Sequence, residues 1–481
     1  MTSENQQEAS SVAEESGPSR SSRVDHFSAA AQVDCLPPWR SPWFARKTWG
    51  ILLCVAYPLL VLTPLPVFAV TSSSSDDAPI VKVGVNCAVM AFTIVAMQFV
   101  LMARFRWVEA PFGLDVILRF HKGMALVSLG LLCAHPLLIS SVLGWKLLTR
   151  WGVHWPIWAG RLTLLVLLTH GAIAVGRRVL RLRYETWLFV HNLGALLLLG
   201  LGFVHSVAVG GDFRSNGPQR TVWIVLLLIA CNAWFYRRVV RPYVLKRRPY
   251  KVVAVHREAP AVWTLTLEPP NGTRLTFAPG QFQFLRPLTG SLLAEEHPFS
   301  IASSPSSHGR ISVTIKESGN FTSTIGNLAP GDLVAVHGPF GRFSHVFHGE
   351  SDDLVFIAAG VGITPLMSML RHMRDRRDAR RVLLVYANRD SSAIVFRHEL
   401  ESLEVGGFPL LRVVHIVSGR LDDPRMLLGR LDARVLQAIC GNFSGKAFFI
   451  CCPPPMMASL ISGLRRAGVD LRKIHADYFG L

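Results

Sequence analysis

HKGMALVSLGLLCAH (residues 121–135) and HNLGALLLLGLGFVH (residues 191–205) are two apolar stretches, each opened and closed by a histidine. In both, the histidines stand fourteen residues apart: His121 and His135, then His191 and His205. On an α-helix this separation rises about 21 Å and turns through about 1400°, which returns to within about 40° of the starting face. Each helix therefore carries two imidazoles on one side, near opposite edges of a hydrocarbon layer about 30 Å thick. A single intramembrane histidine often does no more than bond a neighbouring helix. Four at matched spacing are different, because ionisable groups inside a membrane are costly and tend to be functional. Two such helices side by side make two stacked bis-histidine sites, a ligand set that suits haem iron. Parallel spans pair His121 with His191 at the inner site and His135 with His205 at the outer one.

The flanking sequence supplies the membrane setting. Half of the 481 residues are hydrophobic and mean hydropathy is +0.34. Six segments before residue 240 are long enough to span a bilayer: Thr48–Val70, Ile80–Phe105, His121–Val142, Ile157–Gly176, Trp187–Val209 and Thr221–Tyr236. Pro58, Pro64 and Pro66 predict a kink near the far end of the first. The net charge of +18 is distributed as a topology signal rather than as a nucleic-acid-binding surface. Arg40, Arg46 and Lys47 precede the first span; Arg104, Arg106 and Arg119 lie between the second and third. Arg177, Arg178, Arg181 and Arg183 follow the fourth, and Arg237, Arg238, Arg241, Lys246, Arg247 and Arg248 follow the sixth. The other connections are far less basic, so the positive-inside rule puts both termini in the cytoplasm of a plasma- or inner-membrane protein. The same charges would hold the cytoplasmic part against anionic lipid. Arg119 and Lys122 read either as partners for haem propionates or as interfacial anchors. His170 and His154 read either as structural packing or as lining for an acceptor site.

The eight cysteines include no Cys-x-x-Cys pair, which argues against zinc and iron–sulfur sites. Residues 1–46 read as a disordered cytoplasmic tail, and residues 47–244 as the transmembrane domain. After Arg248 short alternating runs appear (Lys251–His256, Val262–Leu267, Gly280–Leu285, Arg310–Glu317, Asp332–His337), punctuated by Gly, Pro and Ser. They predict a small antiparallel β-barrel over residues 245–349. From residue 350 onward, apolar runs at Leu354–Ala358, Arg381–Ala387, Leu411–Val417 and Lys446–Ile450 alternate with helical stretches. That alternation predicts an α/β domain with a parallel sheet, its ligands at the carboxyl ends of the strands.

The soluble part carries motifs in a fixed order. In the barrel, His297-Pro298-Phe299-Ser300 is followed by Lys316 and Gly319-Asn320-Phe321-Thr322, then by Gly338-Pro339-Phe340-Gly341. Gly360-Val361-Gly362-Ile363-Thr364-Pro365 joins the first strand of the α/β unit to a helix, where exposed amides at the helix start suit a pyrophosphate. Tyr386-Ala387-Asn388-Arg389 ends the next strand, and Cys451-Cys452-Pro453-Pro454-Pro455-Met456 follows the last core strand. Asp477-Tyr478-Phe479-Gly480-Leu481 forms the carboxyl end.

Together these features resemble the ferric reductase and NADPH oxidase superfamily over about residues 47–481, and Gly113-Leu114-Asp115 is similar to the membrane domain of its bacterial members. The resemblance implies a multi-domain membrane protein: a six-helix haem-binding bundle, an antiparallel β-barrel FAD domain and a parallel-sheet NAD(P) domain. It implies FAD on His297, Pro298, Phe299, Ser300, Lys316, Gly319, Phe321, Thr322 and Phe479, with Phe299 stacked on the flavin and Ser300 facing its reactive nitrogen. Phe479 would cover the flavin until nicotinamide displaces it, unless it is ordinary packing. NAD(P) falls to Gly360, Gly362, Thr364, Pro365, Arg389, Cys451, Pro453, Pro454 and Met456, with Ser300, Cys451 and Phe479 around the hydride and no acid or base. Cys452 stands where the family has glycine, so its side chain could crowd the nucleotide. Arg389 could grip a 2′-phosphate, favouring NADPH over NADH, or be a solvated loop residue. Two haems b would take electrons singly from FAD to an outer acceptor, a ferric chelate or O2. The superoxide-producing members often carry a histidine one turn beyond the outer ligand; Ile139 holds that place here. A six-span transporter or channel with a nucleotide sensor would explain the spans but neither the matched histidines nor the flavin tetrapeptide.

Overall fold

The computed structural model describes residues 42–71, 78–177, 179–209, 217–270, 275–288, 296–307, 309–348, 353–421 and 423–477. Most of the amino-terminal tail, Arg178 and Phe479 lie outside the described residues.

Among the described residues, six helices are long and apolar enough to cross a membrane: Thr48–Val67, Pro79–Met102, Leu114–Leu143, Trp155–Gly176, Tyr184–Ala208 and Pro218–Lys246. The first is α1 (Pro42–Leu62) followed by α2 (Pro64–Thr71), broken at Thr63 where the predicted kink falls. Then come α3 (Pro79–Met102), a short α4 (Arg106–Phe112), α5 (Leu114–Leu143), α6 (Lys146–Thr149), α7 (Trp155–Gly176), α8 (Tyr184–Ala208) and α9 (Pro218–Phe235). Proline in the first turn opens α3, α7 and α9, where its missing N–H is no loss. The third span begins at Leu114, not His121, because Gly113 at φ 84° turns the chain directly from α4 into α5. The sixth runs beyond Tyr236 through a π-helical turn, Tyr236–Val240, into α10 (Arg241–Lys246). Several arginines read as a following loop therefore stand on the helix. α3 is the inner column: Val89, Phe92, Ala96 and Met97 are buried against Leu199 of α8 and Trp223, Leu226 and Ala230 of α9.

The barrel strands are β1 (Tyr250–Ala259), β2 (Val262–Glu268), β3 (Phe282–Pro287), β4 (His297–Ser300), β5 (Ile311–Lys316) and β6 (Leu333–Phe340). They pair antiparallel in the order β4-β3-β6-β1-β2-β5, and a bridge from Ile301 to Val313 joins the two ends, so neither edge is left open. Inward alternation puts Val252, Leu265, Leu267, Ile311, Val313 and Ile315 into one core. The tetrapeptide strand β4 was not among the runs expected from periodicity; four residues with an internal proline carry too little pattern.

The α/β domain has strands β7 (Asp353–Ala359), β8 (Arg381–Asn388), β9 (Leu410–Val417), β10 (Leu427–Leu428), β11 (Lys446–Cys451) and β12 (Ile474–Ala476), all parallel in the order β10-β9-β8-β7-β11-β12. Helices α11 (Ile363–Asp375), α12 (Arg397–Val405), α13 (Ala433–Cys440) and α14 (Pro454–Arg466) connect them. Both faces are covered, which explains why β7 and β11 read as unbroken apolar runs.

Candidate functional site

The four histidines meet as spacing requires. His121 of α5 faces His191 of α8 with ring centroids 6.2 Å apart, and His135 faces His205 at 6.3 Å. A metal–imidazole bond is about 2 Å and a ring nitrogen lies about 1.1 Å from its centroid, so each couple is spaced as two imidazoles that would hold one metal ion between them. Three of the four rings are also fixed through their other nitrogen. His121 Nδ1 lies 2.5 Å from Gln98 Oε1, His135 Nδ1 2.9 Å from the Gly84 carbonyl, and His205 Nδ1 2.8 Å from the Pro156 carbonyl. An acceptor at Nδ1 makes that atom the N–H donor and leaves Nε2 unprotonated, the tautomer with which these rings would hold a metal ion. His191 is held by packing instead: Trp187 stacks on it at 5.3 Å and His170 at 4.6 Å.

Glycines clear the way for these rings. A Cβ at Gly160 on α7 would lie 2.5 Å from the His205 ring, and one at Gly194 would lie 2.4 Å from His170 Nδ1. His170 thus packs against the His121–His191 pair, whereas His154 is exposed in the connection before α7.

In the barrel, Phe299 and His297 share one face of β4 and Ser300 the other. Ser300 Oγ is buried with no hydrogen-bond partner among the described residues, as expected of a hydroxyl that would bond a ligand atom. Across the ladder from Phe299 stands Gln283, fully buried with both amide atoms unpartnered among the described residues. Sequence reading missed Gln283, because a lone glutamine within the alternating strand Phe282–Pro287 carries no signal. Gln283 thus lies on the Phe299 face of the sheet, and the Ser300 hydroxyl on the opposite face. In the Gly319–Thr322 loop, Thr322 Oγ1 accepts from the amides of Ser318 (2.8 Å) and Gly319 (2.9 Å). The hydroxyl therefore shapes the loop from within, while Lys316 is exposed at the end of β5.

The nucleotide motifs gather at the carboxyl ends of β7, β8 and β11. A Cβ at Gly362 would lie 2.2 Å from the Cys451 carbonyl oxygen, so only glycine lets this loop touch the end of β11. Tyr386 donates to the Gly360 carbonyl (3.0 Å) and Thr364 Oγ1 to the Val361 carbonyl (2.6 Å), which fixes the loop before α11. Pro453 and Pro454 are exposed at the start of α14, Met456 is half-buried there, and Pro365 is buried in the first turn of α11. Arg389 is exposed at the end of β8. Burial pushes the Cys451 thiol well up, so it stays protonated. Cys452 turns the other way, into the core with Met457 and Leu460, and its thiol is pushed up to about 12 by burial. Its side chain is spent on packing rather than crowding the nucleotide side.

One carboxylate joins the helices to the barrel. Glu296, the residue before the tetrapeptide, accepts from Arg104 (3.1 Å) and Arg241 (3.2 Å) and lies 3.7 Å from His337 Nδ1. Burial pushes its carboxyl up, but His337 and the two guanidinium charges more than offset this and hold it well below the usual range. Arg104 also lies 3.7 Å above the Phe284 ring, and the Gly341 amide donates to Glu109 at 2.9 Å. Arg104, partly buried, and Arg241, buried, thus also serve as structural charges that join the helices to the barrel.

Comparison with known proteins agrees with this layout. Residues 87–202 match the ferric reductase like transmembrane component, residues 250–342 an FAD-binding domain, and residues 356–461 the oxidoreductase NAD-binding domain. The ferredoxin reductase component of 3-ketosteroid-9-alpha-monooxygenase from Mycolicibacterium smegmatis is 31% identical over 43% of this chain and 56% of its own length. Sulfhydrogenase 1 subunit gamma from Pyrococcus furiosus is 32% identical over 47% of this chain and 77% of its own. The chain spans only 56% of the length of the first three curated relatives it matches. Among solved structures, the flavohem-like FAD/NAD-binding domain of nitric oxide dioxygenase from Vibrio cholerae is 22% identical, covers 49% of this chain and 99% of its own, and has a TM-score of 0.43. Fold and matches together define an integral membrane protein of the reductase class, with an FAD-binding domain and an oxidoreductase NAD-binding domain following its apolar helices. The chain has the domain architecture of the ferric reductase and NADPH oxidase superfamily.

Proposed function

We propose that this protein carries electrons from cytoplasmic NAD(P)H across the membrane through FAD and two haems b, to a ferric chelate on the far face. The observation that carries the reading is the pair of histidine couples at 6.2 and 6.3 Å, three of their rings tied at Nδ1. When bound, FAD takes a hydride and gives up electrons singly, and haem iron carries one at a time. The chain's own part is to hold, orient and insulate. His121 and His191 would grip one iron, His135 and His205 the other. The Gly360–Pro365 turn would seat the nucleotide pyrophosphate, and Arg389 a 2′-phosphate, which favours NADPH. Ser300 would donate to the reactive flavin nitrogen, Phe299 would support the ring, and the neutral Cys451 thiol would border the nicotinamide. The basic connections put both termini in the cytoplasm. Beyond His135, Ile139 packs towards Gly84 and brings no polar group to the far site, which favours iron reduction over superoxide production.

The test begins with the reduced-minus-oxidised spectrum of the full chain in detergent, which should show paired low-spin bands. His121→Ala and His191→Ala should each remove the near haem and leave flavin bound; unchanged haem content in both would overturn the assignment. Proteoliposomes fed NADPH under argon should form ferrous chelate rapidly. Dye reduction abolished by superoxide dismutase in air, with no ferrous chelate under argon, would instead make the protein a superoxide-producing oxidase. A haem-free protein, expressed with ample haem, would point to a nucleotide-sensing transporter.

A further inference from the structure

A line of aromatic rings runs from the flavin strand to the near histidine pair. Phe299 stacks towards Phe321 at 6.0 Å and 18°, and Phe321 on His297 at 4.0 Å and 23°. His297 meets Tyr184, the first residue of α8, at 6.2 Å. Tyr184 meets Trp187 at 6.0 Å, and Trp187 stacks on His191 one turn further on, at 5.3 Å and 19°. The loop before α8 is pinned to the same place. Arg177 lies 5.0 Å above the Tyr184 ring and 5.2 Å above that of Trp187. Arg183 donates to the Asn320 side-chain oxygen at 2.7 and 3.2 Å, with the amide turned so that its oxygen faces the guanidinium.

Aromatic contacts at such distances are common in ordinary packing. Two observations go beyond packing. The line ends on the strand expected to carry the flavin and on an expected iron ligand. In addition, Trp187 Nε1 is buried with no hydrogen-bond partner among the described residues, a cost that an aliphatic side chain such as leucine would avoid. An indole retained despite an orphaned N–H is explained by its electronic structure, since an extended π-system lowers the tunnelling barrier relative to an aliphatic gap.

Resting on the function proposed above, we propose that Tyr184 and Trp187 are an electron bridge from the flavin pocket to the iron held by His191. In each transfer one electron leaves the hydride-reduced FAD and one ferric ion becomes ferrous, while the bridging rings finish unchanged. Two transfers return FAD to its oxidised form, release its one proton to solvent and reduce two ferric equivalents.

The experiment uses the full chain in nanodiscs with its own FAD and haem, mixed anaerobically with NADPH, and follows flavin bleaching and haem reduction separately. Trp187→Leu and Tyr184→Leu should each slow haem reduction by about tenfold or more with flavin bleaching unchanged, and Trp187→Phe and Tyr184→Phe should recover most of the rate. The ferric resting protein gives a readout independent of turnover. Trp187→Leu should shift the low-spin electron paramagnetic resonance signal of the near haem, because it frees the His191 ring, whereas Tyr184→Leu should leave it in place. Wild-type transfer rates in both leucine variants, with haem present, would sink the bridge alone. Equal slowing in the leucine and phenylalanine variants would also overturn it, by making the rings a docking surface. A wild-type protein lacking low-spin haem would sink the functional reading and the bridge together.

Discussion

Gly160 and His205 compete for one place: a Cβ on the former would lie 2.5 Å from the ring of the latter. Gly160→Ala should therefore displace a far ligand without touching any coordinating residue. The purified variant should show roughly half the reduced haem absorbance of the parent, with normal flavin content; a full haem spectrum would mean that His205 can move without losing its metal. Ser300→Ala removes the buried hydroxyl that has no hydrogen-bond partner among the described residues. Flavin reduction by NADPH should slow by roughly tenfold to a hundredfold with the haem spectrum intact, and an unchanged hydride-transfer rate would remove Ser300 from its role. The paired histidines were legible because a fourteen-residue interval is a property of one helix. Gly160, Gln98 and Gln283 were not, because each is defined by a partner on another element, and no periodicity within its own segment reports that partner.

Among the elements, β4 and the residue before it bear most on function. Glu296 sits between Arg104 at the end of α3 and Arg241 at the start of α10, so a single carboxylate ties two transmembrane helices to the flavin strand. Breaking a buried ion pair from one side costs about 3–5 kcal/mol, because the remaining charges stay buried without compensation. Glu296→Gln should loosen the barrel from the helices, seen as faster proteolysis of the Lys246–Arg248 connection and slower flavin-to-haem transfer, with NADPH-to-flavin transfer preserved. Equal protease resistance in variant and parent would show that the apolar contacts of Leu114 with Phe284 and Phe340 suffice. The apolar spans, the antiparallel barrel and the parallel sheet were all readable, since each buries a face with its own period. The ion pairs of Arg104 and Arg241 with Glu296 were not legible, because a sequence shows the sign of a charge but not its counter-ion. The short strand β4 went unseen because four residues hold too few periods.

Across the whole molecule, the soluble domains bury several histidines in the neutral form, and this sets the response to acid. Burial, with the nearby Arg380 charge, lowers His345 to about 3; burial, with the stacked His348, lowers His475 to about 3; burial lowers His337 to about 4. In the unfolded chain each would titrate near the ordinary 6.5, so between that pH and the lowered value the unfolded state binds more protons. Acid therefore favours unfolding: stability is flat above about pH 7 and falls as the pH drops through 6.5 towards 4. Glu296 acts in the same direction at the lower end, since a depressed carboxylate loses its contribution as the pH falls below its ordinary value. At pH 5 the nearly inaccessible His345 alone accounts for about 2 kcal/mol, enough to lower a melting temperature by several degrees. Melts of the full chain followed by flavin fluorescence at pH 7.5, 6 and 5 should show this monotonic fall, and His345→Gln should flatten part of it. A melting temperature constant from pH 7.5 to 5 would mean that these rings reach solvent and protonate without unfolding, which contradicts the burial of His345.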